Sequence, residues 1–229
     1  MSRIEVFSTP HRALRYAFGE LTTKAGTTDF TNRQDVLDLR LRMHEVFTLV
    51  HSHSHHEDDI CFAELDARCT NATVYDRNEH TRLHETLDEL MARITGIEAC
   101  VAIGQDETAA GKELYMELCL LHGEMLRHMM EEERDTQPIF WQYMSDDELQ
   151  AFEHRIMAAM SPDLTMKWLT YILPSHTHNE RVMMLAGAQS GMPAEAFNAV
   201  LSLAESVLRP EEYANVKAAL CMVEVPMSI

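Results

Sequence analysis

The chain has 229 residues, with 37 acidic against 19 basic and a net charge of -18. That balance excludes a phosphate backbone or an anionic membrane as a natural partner, since both require a basic surface. With only 8 Gly and 7 Pro, the sequence suits long helices with few turns and disfavours an all-β fold. Five cysteines, an odd number with no CxxC pair, argue against a disulfide framework and for a reducing compartment. No apolar run has the form of a signal peptide or approaches the ~20 residues of a membrane span, so a cytoplasmic protein is expected.

In chain order, Ser8-Thr9-Pro10 starts a first helix over about 9–25, with Leu14, Phe18 and Leu21 on one face. A second begins near Asn32, runs through Val36, Leu39, Met43 and Phe47, and carries His53 and Glu57 near its end. Residues 67–72 read as a loop. Tyr75 or Asp76 opens a third helix bearing His80, His84, Leu87, Leu90 and Ile94, and Gly96 and Gly104 bracket a weakly patterned joint. A fourth spans about 107–132, with Leu114, Leu118, Leu121 and Met125 apolar and His128 and Glu132 near its end. Beyond Pro138 the pattern changes. Ser145 and Glu148 form a capping box, Ser161-Pro162 starts another helix that Pro174 ends, and further helices are expected over about 177–189, 193–208 and 210–220.

The chemistry lies in the spacing. His53/Glu57 and His128/Glu132 are both HxxxE, and His80/His84 is HxxxH. Residues four apart share a helix face, so each pair can aim two donors at one point. With His11 these make five imidazoles and two carboxylates, too many for one ion and suitable for two. The register on the second helix stays open, because His55/Asp59 has the same spacing. His11 alone, or Glu132 between two other glutamates, is ordinary surface chemistry; one ligand group on each of four helices is not. His11 and His53 are 42 residues apart and His84 and His128 are 44 apart, a repeat that suggests two helical hairpins about a dinuclear centre. No thiolate stands at ligand spacing, which disfavours structural zinc.

These residues resemble the hemerythrin-like, or HHE cation-binding, family. The phrases HSHHEDDICF (53–62) and HMMEEERDTQPIF (128–140) are similar to its H-x-x-x-E-E/D segments. The resemblance implies an all-α fold: an up-down four-helix hemerythrin-like bundle over 8–143, with additional C-terminal helices over 144–229 packed on it. It implies that His80, His84 and His128 bind one iron, that His11 and His53 bind the other, and that Glu57 and Glu132 bridge them. The cofactor expected is therefore an oxo- or hydroxo-bridged pair of Fe ions, with Mn or mixed metals as substitutes.

The function expected on this basis is binding or sensing of O2, or of iron, NO or peroxide. The partner is then a small diatomic ligand, with no nucleic acid, no membrane and a homodimer allowed. The alternative is an oxidase, oxygenase, or peroxide- or NO-processing enzyme at the same centre, with Tyr16, Tyr115 and Glu124 as the first acid–base candidates.

Overall fold

A computed structural model describes residues 3–222. The chain is all-helical, with no strand among the described residues. It divides into two compact units, Met1–Met160 and Ser161–Ile229.

The first unit is built on four long helices: α1 (Ser8–Gly26), α2 (Arg33–His56), α4 (Val74–Ala102) and α5 (Thr108–Glu131). A short helix, α3 (Ala63–Arg68), lies between α2 and α4. Helix α1 packs on α2 and α5, and α4 packs on the same two. Leu14, Phe18, Leu21, Leu39, Met43, Leu87, Ile94, Leu114 and Leu118 are buried along the length of this ring. Asn32 caps α2 by accepting from the Gln34 and Asp35 amides. Gly111 is required where α5 meets Phe30, since a Cβ there would lie 2.1 Å from the ring.

Two features escape the periodicity of the sequence. Helix α2 continues through a π-helical segment, Glu57–Phe62, into α3, and α5 continues through a second, Glu132–Thr136, into α6 (Gln137–Tyr143). Helix α4 runs straight through Gly96 to Ala102, where a joint was expected, because Leu90, Ile94, Ile97 and Val101 keep its buried face continuous.

The first compact unit runs on past residue 143 and includes one further helix. Helix α7 (Asp146–Ala159) starts at the anticipated Ser145–Glu148 capping box. Its Leu149 and Phe152 join Phe7, Phe62, Leu65 and Phe140 in one apolar cluster, so α7 belongs to the first unit.

The second unit comprises α8 (Pro162–Ser175), α9 (His178–Gly191), α10 (Ala194–Val207) and α11 (Pro210–Leu220). Pro174 sits inside the last turn of α8, where it removes a single amide hydrogen bond and the helix ends one residue later. Leu173, Leu185, Phe197, Val200, Ala204, Leu208 and Val216 bury one another, giving this unit its own core. No helix among the described residues is long and apolar enough to cross a membrane.

Candidate metal centre

The start of α1 and the end of α2 meet at His11 and His53; the first turns of α4 and the end of α5 meet at His80 and His128. Neighbouring helices thus run antiparallel, and all four deliver their donors to one end of the ring. The i,i+4 spacing adds Glu57 below His53 and Glu132 below His128. All six side chains are buried.

The donors sort into two sets. His11 Nε2 and His53 Nε2 are 3.1 Å apart. Glu57 Oε1 lies 3.2 Å from His53 Nε2 and 3.8 Å from His11 Nε2, and Glu132 Oε2 lies 3.2 Å from His11 Nε2. On the other side, His80 Nε2 is 3.4 Å from Glu57 Oε2 and 3.3 Å from Glu132 Oε1, which is 3.4 Å from His128 Nε2. Each glutamate therefore turns one oxygen to each histidine pair, the disposition of a bridging carboxylate. Two donors about 2.1 Å from one ion and at right angles to each other lie about 3 Å apart, which matches this spacing.

The two halves correspond closely. The His11 and His53 rings are edge-on at 5.0 Å and 82°, and those of His80 and His128 at 4.9 Å and 83°. Phe7 stacks on His11 and Phe62 stacks on His80. The π segments explain the second stack. A wider turn puts residue i+5, rather than i+4, on the face of residue i, so Phe62 follows Glu57 toward the cluster.

Burial opposes a proton on His11, but pairing with Glu132, Glu133 and Glu57 prevails and raises its pKa to about 10. His80 is likewise opposed by burial and carried to about 12 by Asp58, Glu132 and Glu57. Burial lowers His53 to about 4, against the attraction of Glu57, and lowers His128 as well. Glu57 and Glu132 resist burial and stay below the usual carboxylate range because imidazoles surround them. Burial and the Glu132 charge raise Asp76 to about 7, where the Thr136 hydroxyl donates to it at 2.9 Å.

All four oxygens of Glu57 and Glu132 are nevertheless buried without a hydrogen-bond donor: the imidazole nitrogens are near but not aligned to donate. Two carboxylates in that state are costly unless cations complete them. The residues present fit a pair of metal ions by this test.

Among the predicted site residues, His11, His53, Glu57 and Glu132 form one potential ligand group and His80, His128 and Glu132 another. His84 is in neither group. The Ser54 hydroxyl donates to the Val50 carbonyl at 3.0 Å, and so accepts from His84 Nε2 at 2.6 Å. His84 still lines a cavity of about 10 Å³, room for about one water, together with His53, Ser54, His80 and His128. The register on α2 is resolved: His55 and Asp59 pair at 3.1 Å on the exposed face. Tyr16, Tyr115 and Glu124 do not line the cavity, and Glu124 pairs with Arg82 at 2.9 Å.

Sequence reasoning passed over Asp58 and Glu133. Asp58 Oδ1 accepts from His80 Nδ1 at 3.0 Å and Glu133 Oε1 accepts from His11 Nδ1 at 2.9 Å. The available signal was an acid directly after each HxxxE.

The chain is similar to vertebrate proteins named F-box/LRR-repeat protein 5. It is 24% identical to the Xenopus laevis protein over 155 residues, which are 68% of this chain and 22% of that one. It is 24% identical to the Danio rerio protein over 154 residues, 67% and 22% of the two chains, and 23% identical to the Mus musculus protein over 155 residues, 68% and 22%. The chain thus spans about a fifth of the length of these relatives. No family profile matches it, and no solved structure does.

These findings correct the family reading. The relatives carry the name of a different family, F-box/LRR-repeat protein 5, which overturns the hemerythrin-like assignment. The expected binding or sensing of O2, iron, NO or peroxide, the enzyme alternative at the same centre, and the diatomic partner fall with it. The physical reason is that i,i+4 spacing specifies a convergent ligand face and nothing about the protein around it.

Proposed function

We propose that the ring is an up-down four-helix bundle holding two metal ions, and that the chain acts as a metal-braced module that docks another protein. The metal part is supported above all by the four buried carboxylate oxygens without donors, facing four imidazoles. His11 and His53 would hold one ion, His80 and His128 the other, and Glu57 and Glu132 would serve both. Mixed imidazole and carboxylate donors suit iron, with manganese or a mixed pair as substitutes. When bound, the ions would supply the positive charge that the two buried glutamates require.

The protein-docking part is supported by the relatives' name. Leucine-rich repeats build extended concave binding surfaces, with a strand in each repeat of 20–29 residues. The described residues of this chain contain no strand, so they are not built of such repeats, and docking would use their helical surface. Five free thiols fit a reducing cytoplasm.

Elemental analysis of the purified chain tests the metal part: about two first-row transition-metal ions per chain are expected, and one ion or none after exposure to excess metal refutes it. Retention of a purified protein partner by the loaded chain, compared with the chelated one, tests the docking part. Equal retention by both defeats the dependence on metal.

A further inference from the structure

We infer that Asp58 and Glu133 are positioning residues, each orienting a metal-facing histidine that belongs to the opposite helical hairpin. The inference rests on the metal reading above. Asp58 follows the bridging Glu57 at the end of the α1–α2 hairpin, yet its carboxylate holds His80 of α4. Glu133 follows Glu132 at the end of the α4–α5 hairpin, yet it holds His11 of α1. The connections are therefore crossed: neither hairpin orients its own first histidine.

The chemistry follows from the two ring nitrogens. A carboxylate that accepts from Nδ1–H fixes the tautomer and leaves the Nε2 lone pair for a metal. In both halves Nε2 faces the glutamate oxygens while Nδ1 faces the outer acid. A phenylalanine stacked on each ring fixes its plane, Phe7 on His11 and Phe62 on His80. The acids are anchored in turn. Arg15 grips both oxygens of Glu133 at 2.7 and 2.9 Å. Arg77 donates to the Asp58 carbonyl at 2.8 Å and stands 3.6 Å from its carboxylate. The π segments serve this arrangement, since each begins at the bridging glutamate and carries the outer acid as its second residue.

The test uses the full chain loaded with zinc(II), which is diamagnetic. Calorimetry reads the two affinities, and histidine nitrogen NMR reads which Nε2 is bound and which Nδ1 carries the proton. Glu133→Ala should weaken zinc held by His11 and His53 about 10- to 100-fold and scramble the His11 tautomer, with His80 and His128 unchanged. Asp58→Ala should do the converse. Glu133→Gln and Asp58→Asn keep an acceptor oxygen and should restore the tautomer and part of the affinity. If the alanine chains fail to fold, the isosteric pair decides: weakening confined to the crossed site supports the inference, and unchanged affinities overturn it. Equal weakening at both sites also overturns it. A parent chain that takes up no zinc overturns the metal reading itself, and is recognised because no variant is needed to see it.

Discussion

The unit Ser161–Ile229 buries Leu173, Leu185, Phe197, Val200 and Ala204 around one another, whereas Met1–Met160 encloses His11, His53, Glu57, His80, His128 and Glu132 beside its apolar residues. The local devices are the same. Ser145 with Glu148 opens α7 in one unit, and Thr177 with Glu180 opens α9 in the other, by the same reciprocal cap. The interiors differ in what they demand. An apolar core asks for volume and tolerates repacking. A buried ionic cluster asks that every member be satisfied, and a partly satisfied one is worse than none. The first unit should therefore depend on bound cations for stability, and the second should not.

The largest expected effect comes from chelation. Removing metal should destabilise the first unit by on the order of 10 kcal/mol, as folding and metal binding share one free energy, and leave the second unchanged. Hydrogen exchange followed by mass spectrometry reads both units in one sample. Unchanged protection across 57–62 and 132–136 after chelation would break the comparison.

Next is the register on α2. His53→Ala should cost about 3–5 kcal/mol and one ion, because it strands Glu57 in the interior. His55→Ala, on the exposed face, should stay within about 0.5 kcal/mol. Denaturant melts of the two variants, with metal content measured alongside, decide this; equal losses would place the ligand face elsewhere.

In the second unit, Leu185→Ala should cost about 3 kcal/mol by leaving a cavity, with metal content unaltered. A fall in metal content would show that the two interiors are not independent.

The smallest effect concerns pH. Arg209, helped by Arg181, holds Glu212 down to about 2 against the opposing effect of burial. Because its folded pKa is depressed, Glu212 contributes stability above its unfolded value of about 4.3 and loses it as pH falls through about 2. Glu212→Gln should cost about 1 kcal/mol at neutral pH and less than half of that at pH 2, by melts of the second unit. The chelated first unit adds an alkaline loss. His11 is raised to about 10, so its contribution is complete below about 6.5 and is lost as pH rises through 10. A chelated chain whose first unit is no weaker at pH 10 than at pH 7 would contradict that sign.

Much of the helix pattern was readable in advance. Leu14, Phe18 and Leu21 on α1 and Leu114, Leu118 and Leu121 on α5 recur at helical spacing and are buried. The π segments were not readable, since a single widened turn does not disturb the apolar period on either side. The packing partner of α7 was not readable for a related reason. Phe152 of α7 has amphipathic spacing whichever unit it joins, and only its packing beside Phe140, at 6.0 Å between ring centroids, assigns it.

By itself the sequence determined that the chain is helical and that donor pairs four residues apart share helix faces, because both are local consequences of 3.6 residues per turn. It left His53 and His55 equivalent, gave His84 the same standing as His80, and read Glu133 as one of three surface charges. The tertiary structure decided these. His55 faces outward to Asp59, His84 turns to Ser54, and Glu133 and Asp58 reach across to histidines of the other hairpin. Such choices rest on contacts between residues as much as 122 positions apart, which no local spacing encodes.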